Sequence, residues 1–537
     1  MRRGAALVGL IGAVWAVALT TSAAGAPRGH AAATTPRAHS AAAGTLVVDT
    51  SFIVSSIDPA RDLDPTGYIV DRALYDTLLT EHGANTTVEP DLATSYTASS
   101  NATTYTFHLR HGVTFSDGTP LTSADVVYSL TRVVNLNSAP GYLLAGITAK
   151  AEGPYTVVLT SKTPNPAIPE IVTTPALGIV NPKAVTAHGG SDAPNAAKTD
   201  KAGQFLDSTS EGSGPYVLTT FSTNNEIVLS ANPHYWGPKP AFSRVVLRDM
   251  EAPTQLLNVQ RGTDEVALDL SSTQATTLDR NSSLQVHVSA SPNLFSLQAN
   301  ASPTVSPTTA NPDIQKAIRL GLDYRGMVAT AGPGAIQAAG LIPVQFLGGL
   351  PTSQAVKQNV AEAKALVAKS GIKDPHATLS YPSDISVNGL SFAVLAERQQ
   401  ADLSAIGIKV TIQAVPVATF LPAYNAGKYQ LIESYWGPDY PDPNDYLVFL
   451  PGGSVSTRLN WKASANPMLV KLGQEAGSTA NDTLRKKLFT EIQQQLDKSS
   501  PYFPTVQPAQ AIVGSANLTG LALNPSWLLN VAEVGTK

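Results

Sequence analysis

His108 and His111 form an H-x-x-H pair, Ser370 and Lys373 complete an S-x-x-K, and Ser210-Glu211-Gly212-Ser213 superficially approaches a nucleophile elbow. Each pattern names a chemistry: metal ligation, lysine-activated serine attack, or hydroxyl attack from a strained turn. None is complete. Strand alternation would place the two histidines on opposite faces, and no third ligand lies near them in sequence. Ser370-Gly371 sits where a helix stops at glycine, and the serine run lacks the G-x-S-x-G order. No phosphate-binding or dinucleotide glycine pattern is present. The chain has no cysteine, which excludes disulfides, thiolate metal sites and a thiol nucleophile. There remain Asp439, Asp442 and Asp445, grouped around Pro441 and Pro443 beside Trp436, where aspartates serve naturally as turn residues.

The elements that would position such residues belong to a long, weakly charged chain. At 537 residues it needs two or three domains, and its 36 basic and 40 acidic side chains include no basic block that would suit nucleic acid. Met1-Arg2-Arg3, the apolar stretch Ala5 to Leu19 and the small residues Ser22 to Ala26 follow the order of a signal peptide, expected over 1–26. Cleavage would fall after Ala24 or Ala26, with Pro27 against the second, and an uncleaved anchor is the alternative reading. Residues 27–43 read as a disordered leader rich in Ala, Pro, Thr and His.

Order begins near Gly44 with a strand over Thr45 to Val48. Tyr105, Phe107 and Leu109 alternate with polar residues as in a half-buried strand, and Ser116-Asp117-Gly118 turns the chain. Thr122 and Asp125 have capping-box spacing ahead of Val126, Leu130 and Val133. Asn311-Pro312 opens a helix through Ile314, Ala317, Ile318 and Leu322; another runs from Asn359 to Ser370 and stops at Gly371. A strand containing Leu379 and Tyr381 follows. Then come a third helix through Leu390, Val394 and Ala401 and a strand over Ile408 to Ile412. This alternation means α/β lobes.

Several segments, in order, resemble the peptide and nickel family of bacterial extracellular solute-binding proteins. They are Asp58-Pro59, Leu74 to Leu79, Glu89-Pro90-Asp91-Leu92-Ala93, Tyr105 to Val126, Gly214-Pro215-Tyr216 and Asn232 to Trp236, then Asp313 to Tyr324, Ala405 to Ile408 and Trp436 to Pro443. The resemblance implies a two-lobed periplasmic-binding-protein type II (Venus flytrap) fold with an inserted subdomain. Lobe I would use 44–76, 213–292 and 510–537; the inserted subdomain, 77–212; lobe II, 293–509.

By the same resemblance the chain is an extracytoplasmic solute-binding protein, a monomer without cofactor or metal. It captures a small polar ligand, most simply a di- or oligopeptide, by hinge closure and passes it to an ABC permease. In peptide-binding relatives the acid at the position of Asp439 meets the peptide's ammonium, Tyr435 and Gly437 offer main-chain groups, and Trp436 walls the pocket. Pro438 departs from the pattern by removing one backbone donor. Tyr75 lies where the first lobe of relatives approaches ligand, with a core or turn role as the other reading, and Phe295 belongs to Leu294–Asn300, which follows the second hinge crossing and would either line the cleft through alternate side chains or serve the core. An exported sensor or a hydrolase on the same scaffold are the competing functions. The absence of a lipidated cysteine leaves a periplasmic, secreted or tethered location open.

Overall fold

The computed structural model describes residues 44–537, so the signal peptide and leader lie outside the described residues. Thr45–Thr50 is buried along its whole length because it lies inside a seven-stranded mixed sheet, parallel to Arg244–Asp249 on one side and to Glu265–Ala267 on the other. A parallel interior strand covered on both faces must be apolar nearly throughout, as Leu-Val-Val is here. The remaining strands of this sheet come from residues 216–290 and from Ala509–Ser515.

A second, six-stranded sheet has the order Ile336–Gln337, Tyr502–Gln507, Leu294–Ala299, Leu431–Trp436, His376–Pro382, Lys409–Val415. A third sheet of four antiparallel strands is built entirely from residues 93–161. In it Tyr105, Phe107 and Leu109 point inward and His108 outward, the alternation expected of a sheet with one solvated face. Each sheet packs its own apolar core. Two mixed sheets plus an antiparallel subdomain is the α/β architecture expected from the sequence.

The helix signals act as anticipated. Thr122 and Asp125 close a capping box at the start of Ser123–Leu136, with Asp125 Oδ2 accepting from the Thr122 amide at 2.7 Å. Asn311 caps Pro312–Gly321 by accepting from Asp313 and Ile314 amides at 2.9 and 3.2 Å. One boundary differs. Leu390 belongs not to the third helix but to a hairpin, Ser386–Val387 with Leu390–Ser391, and the helix is Phe392–Ala405 with Val394 on its exposed side. The reason is the two-residue turn Asn388-Gly389, both at positive φ (52° and 72°), which joins strands and not helices.

Among the described residues the chain passes between the two mixed sheets twice, at 291–293 and at Pro508. These crossings are neighbours: Ala290 pairs with Ala509 on one side and Phe295 with Val506 on the other. They are tied together by Ser291 N–H to Pro508 O at 2.7 Å and Gln507 Nε2 to Ser291 O at 2.9 Å. Among the described residues no helix is long and apolar enough to cross a membrane.

Candidate ligand-binding site

Leu431–Trp436 runs through the middle of the second sheet, antiparallel to Leu294–Ala299 along its whole length. On its other side it pairs with His376–Pro382 only at Leu431 and Ile432. The two strands then diverge, so the main chain of Glu433 to Trp436 has a ladder partner on one side only. At the end of this fork the chain enters the loop Gly437 to Asp442 and a short helical turn, Pro443–Phe449. Pro443 stands at the turn's start, where its missing N–H costs nothing, and Asp442 caps it by accepting from Asn444 N–H at 2.8 Å.

Side chains fix this loop. Trp436 sets its ring edge-on to Phe449, centroids 5.1 Å apart, and its Nε1–H donates to Asp445 Oδ2 at 3.0 Å. The Asp439 amide donates to the same oxygen at 3.2 Å. Asp442 accepts from Arg485 Nη2 at 2.6 and 2.9 Å, a buried charge met by a buried counter-charge. A Cβ at Gly437 would lie 2.7 Å from Asn293 Oδ1, so a larger residue there would push that amide aside.

Asp439 differs from Asp442 in what faces it. Burial pushes its carboxyl above the ordinary range, and hydrogen bonds from Tyr142 and Asp445 oppose that shift; no Lys, Arg or His side chain is among the groups that act on it. Asp445, 4% exposed, is raised further, by burial first and then by the charge of Asp439. Some buried acids have their cations, whereas Asp62, Asp71 and Glu433 have no ion-pair partner among the described residues. Asp58 receives both Arg132 guanidinium nitrogens at 2.7 and 2.6 Å, Asp200 receives Arg132 Nε at 2.8 Å, and Asp49 receives Arg248 Nε at 2.6 Å. The Asp439–Asp445 pair has no ion-pair partner among the described residues.

The loop meets the other lobe. Asp439 acts on the Tyr142 hydroxyl, from the segment Ala139–Leu144, and the charges of Asp439 and Asp445 both push up the phenol of Tyr68, from helix Pro65–Leu74, after burial. Tyr440 packs on the subdomain core, and Asn444 Nδ2 approaches Asn165 Oδ1 at 3.5 Å. Trp436, Gly437 and Asp439 are half-buried there, and Tyr435 is 38% exposed, its ring resting on Phe295 and Phe392 at 6.1 and 6.0 Å.

Two of the positions named from sequence lie elsewhere. Phe295 is fully buried, because Leu294–Ala299 is covered on both faces; it supports Tyr435 from beneath and has no open surface of its own. Tyr75 is also fully buried in the core of the first lobe, against glycines: a Cβ at Gly178 or Gly212 would come within 2.6 or 2.5 Å of its side chain. Its hydroxyl is enclosed without a partner. Tyr142, Tyr68 and the pairing of Asp445 with Asp439 are what sequence reasoning missed. For Asp445 the proline-rich spacing was a usable signal; for the two tyrosines there was none.

Neither histidine pattern nor serine pattern becomes a site. His111 stacks on Tyr155 with centroids 4.0 Å apart, Ser210 Oγ accepts from Leu218 N–H at 3.0 Å, and among the described residues no group of three or more His, Asp or Glu is disposed to hold a metal. A cavity of about 290 Å³ lies in the subdomain, behind the Tyr142 segment, lined by residues such as Leu130, Val134, Leu144 and Ile147; it is separate from the acid pair.

Residues 87–457 match the family described as bacterial extracellular solute-binding proteins, family 5. The chain belongs to this family. A family 5 protein is the non-enzymatic, solute-capturing component of an ABC importer working outside the cytoplasm, which removes the hydrolase alternative. This family 5 chain is 27% identical over 496 residues to the probable D,D-dipeptide-binding periplasmic protein DdpA of Escherichia coli (strain K12), covering 89% of this chain and 92% of that one. It is 25% identical over 510 residues to di/tripeptide-binding protein 2 of Pseudomonas aeruginosa (strain UCBPP-PA14), covering 90% and 93%. Its fold matches the periplasmic binding protein DppA from Helicobacter pylori in complex with the peptide STSA, with a TM-score of 0.75 at 22% identity, over 92% of this chain and 98% of that one.

Proposed function

We propose that this solute-binding protein captures a di- or short oligopeptide by its free ammonium end and that the lobes swing closed over it about the paired crossings at 291–293 and Pro508. The single observation that carries the reading is the Asp439–Asp445 pair at the lobe interface, Asp445 buried and Asp439 half-buried, with no ion-pair partner among the described residues. An uncompensated buried carboxylate is costly, and a dehydrated ammonium is the group that removes the cost. Tyr142 on one lobe and Asp439 on the other give such a ligand contact with both, which is what makes binding favour closure.

The fork beside Leu431–Trp436 supports the same ligand. Main-chain groups from Glu433 to Gly437, unpaired on one side, suit an extended peptide that adds as a further strand, with Tyr435 and Gly437 the nearest to the acid pair. Pro438 shortens that run by one donor. Trp436, held by Asp445 and Phe449, is a rigid wall. The dipeptide and di/tripeptide names of the two relatives agree with this ligand class. In this reading lobe I comprises 44–76, 213–292 and 510–537, the subdomain 77–212 and lobe II 293–509. Calorimetry with L-alanyl-L-alanine and its N-acetylated form tests it: the acetylated peptide is expected not to bind, and equal affinity for both overturns the ammonium contact.

A further inference from the structure

The lobes also touch behind the site. The lobe II sheet has two apolar faces: Phe295 and Leu431 pack with Met327 and Phe392 on one, Leu294 and Ile432 with Phe449 and Trp436 on the other. The ligand loop, whose Tyr440 packs on the subdomain core, belongs to the Trp436 face. On the opposite face, Gly332 ends helix Tyr324–Ala331, and Gly389 lies in the hairpin turn that leads into helix Phe392–Ala405. Both glycines abut one turn of lobe I, Ser271 to Thr273, at the start of helix Ser272–Thr276. A Cβ at Gly332 would lie 2.7 Å from Ser272 Oγ and 3.0 Å from Thr273 Oγ1; one at Gly389, 3.0 and 3.1 Å from Ser271 Cβ and Cα. Both have positive φ, 87° and 72°, so backbone form and lack of space each disfavour a side chain there. The contact is anchored on both sides. Ser271 closes a capping box with Gln274 through bonds of 3.0 and 3.2 Å, Asn388 Oδ1 accepts from Asn293 Nδ2 at 2.9 Å, and Leu390 and Phe392 are buried.

We propose that the turn Ser271 to Thr273, seated against Gly332 and Gly389, is a stop that limits how far the cleft opens and so sets affinity from outside the ligand site. This rests on the hinge motion proposed above. The crossings at 291–293 and Pro508 continue directly into Leu294–Ala299 and Tyr502–Gln507, neighbouring strands of the lobe II sheet. An axis through them has the ligand loop on one side and the turn on the other. A swing that draws the ligand loop away from the subdomain therefore presses the turn into the two glycines, where packed atoms leave no travel. The ligand-free protein is held near its closed form, and less of the binding energy goes into reaching it.

Two variants of opposite sign test the stop. Gly389→Asn puts a side chain into the contact on a residue type that tolerates positive φ, whereas Ser272→Ala with Thr273→Ala removes the opposing oxygens and leaves the Ser271 cap in place. The chain has no cysteine, so Lys150→Cys and Met468→Cys, at exposed positions of the subdomain and of lobe II, carry a spin-label pair that reads the interlobe distance. In the otherwise wild-type protein L-alanyl-L-alanine is expected to shorten that distance. Gly389→Asn is expected to shorten it without ligand and to lower Kd by about three- to tenfold, because a larger fraction already stands closed. The alanine pair is expected to lengthen it and to raise Kd by a similar factor. An alanine pair that keeps the wild-type distance and Kd overturns the stop, as does a shift of both variants in the same direction; ligand-induced shortening in the wild type then still supports the hinge. Peptide binding with no distance change in the wild type overturns the hinge motion itself. The ligand-free distances do not depend on which solute binds, and the alanine pair decides even if Gly389→Asn fails to fold.

Discussion

Replacing Asp439 by alanine removes the carboxylate that faces Tyr142 across the lobe interface. Stripping one partner from a buried charge pair costs roughly 2–5 kcal/mol of binding. Two features place this site at the lower end. Asp439 keeps partial solvent access, and Asp445 is raised in part by the charge of Asp439, so it ionises more readily once that charge is gone and answers the ligand in its place. The expected loss is about 2–3 kcal/mol, a rise in Kd of roughly 30- to 160-fold for L-alanyl-L-alanine. Removing both acids, Asp439→Asn with Asp445→Asn, takes away the substitute and moves the loss toward roughly 5 kcal/mol. The same variants relieve an uncompensated buried charge in the empty protein, so their ligand-free Tm is expected to rise while ligand-induced stabilisation shrinks. Calorimetric Kd and paired melting curves read both effects. A single variant whose Kd stays within about threefold of wild type would refute the placement of the ammonium at Asp439.

Tyr142→Phe removes one hydrogen bond to Asp439 on a half-exposed phenol, so Kd is expected to rise by only about two- to fivefold, measured in the same titrations; no change would remove Tyr142 from the interlobe contact. Arg132→Met leaves the buried carboxylates of Asp58 and Asp200 with only the partly exposed guanidinium of Arg61 and is expected to cost about 3 kcal/mol of folding stability by denaturant unfolding. Glu433 is pushed up to about 8 by burial, with a hydrogen bond from Gln399 opposing, and one of its oxygens has no partner. It therefore stays protonated in the fold while the unfolded chain ionises, so it lowers stability progressively as pH rises from about 4.5 to about 8. Glu433→Gln is expected to raise Tm at pH 8 more than at pH 5, and an equal shift at both would refute the buried acid's role.

Elements that declare themselves within a few residues were legible in the chain. Thr122 with Asp125 and Asn311 with Pro312 place their helices because caps act over one turn, and Tyr105-Thr106-Phe107 shows its faces by simple alternation. Asn388-Gly389 was equally local and equally readable as a hairpin turn, yet the apolar spacing of Leu390 and Val394 favoured a helix over it. What no local pattern carries is the meeting of distant groups. Asp58 finds Arg132 and Asp200, and Asp439 finds Tyr142 and Tyr68, only because separate layers fold against one another. Tyr75 and Phe295 mislead for the complementary reason: an aromatic in a motif looks the same in sequence whether it faces a cleft or fills a core.

The two crossings between the mixed sheets, stitched to each other by Ser291, Pro508 and Gln507, behave like adjacent pins on a door frame. In the proposed closure, two pins side by side permit a swing and resist a corkscrew twist, which reduces that motion to one angle. A membrane partner that gauges the spacing between lobe tips would then learn from that one length whether cargo is aboard.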